Sequence, residues 1–177
     1  PSLDTDLDVL SAAKIRKMFE DYEARRGGFP PSSVEPSTDQ LSALAQVILA
    51  GLVPYADFSI FGPFGDRQLK KMALKYMEFL PSRGTWVTLE MPGPPTWHHW
   101  ARSWAVWECA MLLLQAANIE PMLDYFRLIK KMDEEYGPGS WVLIYQADLR
   151  MRSEHFERLR RDALIRRSRL EAAGRQV

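Results

Sequence analysis

Between Thr96 and Asn118, the residues Trp97, Trp100, Trp104, Trp107, Met111 and Leu114 follow one another at steps of three and four. That spacing puts all six on one face of a helix, and four indoles on a single face constrain the fold more than any other feature of the chain. Stacked aromatics can serve as a platform for bases or sugars. Met111, Leu112 and Leu114, however, carry the same helix into plainly apolar sequence. Core packing is therefore the expectation, with an aromatic face shared with a partner as the alternative. A chain of 177 residues is one domain or at most two small ones, long enough to bury such a core without disulfides or metals. Its 46% hydrophobic and 26% charged residues exclude a disordered composition.

The remaining elements are read around that helix. Leu7 to Arg26 reads as a first helix, with Leu10, Ile15, Met18, Phe19 and Tyr22 at helical spacing, Asp4, Asp6 and Asp8 near its start, and Gly27-Gly28 stopping it. Phe29 to Pro36 is a Pro/Ser linker. Ser37 with Gln40 is a capping-box pattern and opens a helix through Leu41, Leu44, Val47 and Ile48. Val53 to Gly65 mixes aromatics with turn formers and is poor helix material, and a short helix is expected from Asp66 to about Met72. Thr85 to Met91 alternates and is β-branched, so a hairpin near 74–91, turning at Ser82–Gly84, is expected. Pro121, Met122, Phe126, Ile129 and Met132 predict a helix ending at Tyr136-Gly-Pro-Gly139. From Trp141 no breaker occurs until Gly174, so one long terminal helix is expected. The fold class is mainly α: a bundle of five to six helices with one small β-hairpin and a long C-terminal helix. Three segments follow: 1–36 as helix and linker, 37–149 as helical core with the hairpin, and 150–177 as an Arg-rich extension.

The net charge of zero hides a segregation. Residues 150–177 carry nine of the 23 basic residues, all arginine, and four of the 23 acidic ones, a net of +5; the rest of the chain is at −5. Arginine binds phosphate or carboxylate through its planar fork at any physiological pH. A solvated helix face with internal pairs such as Glu154–Arg158 and Glu157–Arg161 is the plainer reading of the same residues. Leu149, Phe156, Leu159, Ala163 and Leu170 form a heptad-like seam in which Arg152 and Arg166 occupy the two interruptions. An interrupted seam is weak for a free coiled coil but adequate for docking on the body near Leu149–Leu159 and then projecting. The nucleic-acid-binding candidates are accordingly Arg150, Arg158, Arg161, Arg166, Arg167 and Arg169. The self-association or partner candidates are Leu149, Phe156, Leu159, Ala163 and Leu170.

No catalytic constellation accompanies these patterns. Adjacent His98 and His99 point about 100° apart on a helix and read as exposed or capping residues rather than ligands. His155 sits among charged neighbours and reads as solvated. Cys109, the sole cysteine, lies in the most apolar helix and reads as a buried, inert thiol. Gly62-Pro-Phe-Gly65 ahead of Lys70-Lys71 lacks phosphate-loop spacing, and Pro63 removes one amide donor. No enzyme class gains positive support. No apolar run approaches the roughly 20 residues of a membrane span and no signal segment opens the chain, so an intracellular setting, cytoplasmic or nuclear, is expected. The first residue is Pro1 rather than Met, which reads as a fragment of something longer.

Several stretches carry a resemblance: Ser37 to Gln46, Val53 to Arg67, Pro92 to Pro95 with Trp100 and Trp104, and Tyr136 to Asp148 through Glu157-Arg-Leu-Arg-Arg161. In these the chain resembles the many-copy, retroelement-associated open reading frames of dinoflagellate genomes, over about two-thirds of its length. The resemblance implies a Gag-like position, a helical shell-forming or nucleic-acid-packaging protein, and brings no catalytic residues. The chain lacks a Cys/His zinc knuckle, which leaves the arginine helix to carry any RNA contact. The expected partners are further copies of the chain and RNA or DNA, with no membrane, cofactor, metal or small-molecule substrate identified. A protein-interaction domain that docks a partner through the terminal helix is the alternative, and an enzyme with a dispersed site ranks third.

Overall fold

The structure, a computed structural model, describes residues 10–63 and 71–174. Its six α-helices run in chain order α1 Ala12–Arg26, α2 Thr38–Leu49, α3 Trp97–Leu113, α4 Ile119–Tyr136, α5 Trp141–Arg150 and α6 Phe156–Gly174. A π-helical turn, Met151–His155, joins α5 to α6 without a break, so the two form one rod and the helical bodies number five. Two antiparallel strands, β1 Ala73–Leu80 and β2 Thr85–Pro92, complete the fold. The mainly helical class with one hairpin and a long terminal helix is the one the sequence predicts.

The central element is α3. Thr96 caps it, its Oγ1 accepting from the His99 backbone N–H and lying 2.8 Å from His99 Nδ1. Trp100, Trp104, Trp107 and Met111 are buried along one face, and their rings form a ladder. Centroids stand 5.3 Å apart for Trp97–Trp100, 5.1 Å for Trp100–Trp104 and 4.9 Å for Trp104–Trp107. The stripe is core. Three of these indole N–H groups are satisfied by distinct partners: Asp148 Oδ2 for Trp100, Glu108 Oε2 for Trp104 and the Pro54 carbonyl for Trp107. Each donor therefore fixes an orientation as well as offsetting the loss of water. From α4, Tyr125 stacks on Trp104 at 5.3 Å and Phe126 packs at a tilt against Trp97 at 5.2 Å.

The helix stops at Leu113, short of the expected Asn118, and the reason is a turn without glycine. Gln115 adopts φ +52°, its N–H bonding to the Leu112 carbonyl while Ala116 N–H bonds to the Met111 carbonyl. That pair of bonds is a Schellman termination, built here on a residue that tolerates the left-handed region poorly. At the chain's start, Ser11 caps α1 through Lys14 N–H, so the helix begins at Ala12 rather than Leu7. Leu10 precedes it and gives its N–H to Ser42 Oγ, while Asp4, Asp6 and Asp8 lie outside the described residues. The Ser37–Gln40 capping box forms as read, with both reciprocal bonds present. Of the short helix expected over 66–72, residues 66–70 lie outside the described set, and Lys71 and Met72 are extended into β1 without helix.

The hairpin register pairs Leu80 with Thr85 and Leu74 with Met91, with the turn at 81–84 as the Ser82–Gly84 signal predicts. Leu74 and Met91 anchor its open end on the core. Gly93 follows at φ +155° against Tyr145, where a Cβ would fall inside the Tyr145 ring. The tip carries an exposed Phe79–Trp86 pair with centroids 5.4 Å apart.

Candidate functional site: the terminal helix and its anchor

The terminal rod divides at the π-turn. In α5, Trp141, Ile144, Tyr145 and Asp148 are buried; in α6, from Phe156 to Gly174, no residue is. Apolar spacing explains the first half, since Trp141, Ile144, Tyr145 and Asp148 recur at three and four residues and face α3 and α4. At the junction, the Phe156 N–H bonds back to the Met151 carbonyl five residues earlier, the extra residue of a π-turn.

That turn places Arg152 in the core. Its Nε and Nη2 donate to Asp148 at 2.8–3.0 Å, its Nη1 donates to the Ala56 carbonyl at 2.8 Å, and the side chains are 4% and 0% exposed for Arg152 and Asp148. The guanidinium lies 3.8 Å from the Phe58 ring centroid, and Tyr55 is at 5.5 Å. Asp148 also accepts from Trp100 Nε1 at 2.9 Å and from the Tyr125 hydroxyl at 3.0 Å. The carboxylate is thus bonded from three elements, α3, α4 and the π-turn, and the arginine reaches a fourth, the 53–61 strap. Burial works against the Arg152 charge, but the hydrogen bonds and charge of Asp148 outweigh it and hold the guanidinium even more firmly protonated. Burial, then the adjacent Asp148 carboxylate, pushes the Tyr125 phenol well above its ordinary range, so it remains a donor. One further bond ties strap to rod: Val53 N–H donates to Glu157 Oε2 at 3.0 Å. Glu157 is held below the usual carboxylate range, first by the Arg160 side chain and then by that backbone bond.

Arg152 is therefore a correction: read as an interruption among solvated arginines, it is a cation buried in the core. The legible signal was Asp148 one turn earlier at i,i+4. Ala56 and Phe58, nearly a hundred residues away, supply the rest and leave no local trace.

The predicted partner seam splits. Leu149 and Phe156 are half-buried, with Phe156 edge-on to Tyr125 at 5.5 Å. Docking ends there rather than at Leu159, because Leu159 and Leu170 are 64% and 74% exposed and Ala163 is exposed between them. These three with Arg166 form one exposed stripe along α6, flanked by Asp162 and Arg167. The six arginine candidates, Arg150, Arg158, Arg161, Arg166, Arg167 and Arg169, are all exposed. They do not share one face, since at about 100° per residue Arg158 and Arg169 fall together while Arg161 and Arg167 point elsewhere. Glu157 pairs with Arg160 at 2.9 Å instead of the expected Arg161, and Arg167 pairs with Glu171 at 2.8 Å. Among the described residues no ion pair joins Glu154 to Arg158, so that expected pair is absent.

His98, His99 and His155 are exposed. Cys109 is buried, and burial, reinforced by Glu35 and Glu108, pushes its thiol up to about 12. Among the described residues no group of three or more His, Cys, Asp or Glu side chains converges as a metal site, and no helix is long and apolar enough to cross a membrane. No family model, no curated protein and no solved structure matches this chain.

Proposed function

We propose that the chain is a non-enzymatic assembly protein whose helical body holds out α6 to contact nucleic acid. The supporting observation is the division of one continuous helix into a half wired into the core and a 19-residue half with no buried residue. Beyond Phe156 and Glu157 at its base, the helix buries no face on the body, so the composition of that stretch answers to something other than this protein's own core. Arginines along such an arm attract phosphates through counterion release, with little dependence on base sequence. The resemblance to retroelement-associated reading frames supports the same Gag-like role, in a nuclear or cytoplasmic setting.

The test is single-stranded RNA binding against salt, on the full chain and on the double variant Arg158→Gln, Arg161→Gln. The reading expects the salt slope to flatten by about 1.4, near 0.7 for each lost single-strand phosphate contact. Absence of binding at low salt, or a slope unchanged in the variant, overturns it. Truncation at Asp148 is not a clean alternative, because it removes the buried Arg152.

A second reading is favoured by the exposed apolar stripe of Leu159, Ala163 and Leu170. In it, α6 docks a protein partner through its apolar stripe, with no nucleic acid involved.

A further inference from the structure

We infer that α6 pairs with α6 of a second copy in an antiparallel arrangement, about a two-fold axis between Leu164 and Ile165. The inference rests on the assembly role proposed for the chain, and it supplies the register through α6.

Leu159, Ala163, Arg166 and Leu170 occupy alternating core positions of a heptad, spaced four, three and four, and all are exposed. A second copy running the same way would set Arg166 directly on Arg166 of its partner, two cations in one core layer. Running the opposite way, with the axis at 164/165, Leu159 meets Leu170 and Arg166 meets Ala163. The small Ala163 side chain leaves room for the aliphatic stem of the arginine, whose head reaches solvent. Charge then agrees with the same register. Asp162 and Arg169 flank the stripe on the same side, one turn on either side of Arg166, and antiparallel pairing brings Asp162 of each copy to Arg169 of the other. On the opposite flank the same register turns Arg160 of each copy toward Arg167 of the other, and each of these charges is offset within its own helix by Glu157 or Glu171. Antiparallel pairing also separates the two bodies to opposite ends of a rod of about 28 Å, so neither obstructs the other. Arg158 stays outside the pair, and Arg161, whose 3.8 Å contact with Asp162 gives way to Arg169 of the other copy, is left to phosphate with it.

The experiment is sedimentation equilibrium of the full chain at up to about 100 μM, which populates complexes of micromolar Kd. Measured alongside are Asp162→Arg, Arg169→Asp, the double variant carrying both, an equimolar mixture of those two single variants, and Arg167→Asp as the control for a parallel pair. All substitutions are on the exposed arm, so folding of the body is checked by near-UV circular dichroism and expected unchanged. The register expects a dimer in the parent chain, association weakened about tenfold or more in Asp162→Arg and in Arg169→Asp through like-charge contact, and recovery in both the double variant and the mixture. A parent chain that stays monomeric overturns the pairing. A dimer indifferent to Arg169→Asp but lost with Arg167→Asp overturns the antiparallel register, since a parallel pair would set Asp162 against Arg167. RNA binding that survives loss of the dimer separates failure of this pairing from failure of the nucleic-acid reading.

Discussion

The two halves of the terminal rod share a backbone conformation and differ in almost everything else. Trp141–His155 is held by ring packing on Tyr145, by four bonds from Arg152 and by two further donors on Asp148. Phe156–Gly174 is held at its base by Phe156 and Glu157, and among the described residues the ion pairs beyond Arg160 lie within its own surface. The difference shows that arginine count predicts neither role. Nine arginines lie in the last 28 residues, and the one that matters most to the fold is the one with an acid a turn earlier and aromatic rings above it.

A graded series of substitutions along the rod would break that contrast if it were wrong. Arg152→Met leaves Asp148 buried without its cation and is expected to lower unfolding free energy by about 3–5 kcal/mol in urea titration. Tyr125→Phe removes one of the donors to the same carboxylate, with an expected loss of about 1–2 kcal/mol. Glu157→Gln weakens the bond to Val53 and should produce a smaller loss that depends on pH. Because the folded protein holds Glu157 below its ordinary range, its contribution is complete above the unfolded carboxylate pKa and disappears as pH falls through the folded value. Parent and variant should therefore differ at neutral pH and converge in acid. Leu170→Ser, far out on α6, should change monomer stability by less than about 0.5 kcal/mol.

Legibility from sequence follows the range of the interactions involved. The capping box at Ser37–Gln40, the indole stripe and the alternating strand at Thr85–Met91 are local patterns, and each is where the sequence places it. The termination at Gln115 was hidden because left-handed caps are read from glycine, and the turn uses glutamine. The π-turn had no breaker residue to mark it. Phe58 and Ala56 reach Arg152 only through the fold, so the anchor of the candidate site was invisible while its exposed arginines and leucines were not. What the sequence could show of α6 was its composition; that Leu159 stands in solvent while Phe156 does not depends on where the body ends.

The most direct test of the divided rod is residue-resolved hydrogen exchange on dilute protein, below the concentration at which copies associate. Amides of α5 through the π-turn should exchange only with global unfolding, and those beyond Arg160 should exchange much faster, by local fraying. Protection that continues undiminished to Gly174 in the dilute monomer would contradict the account.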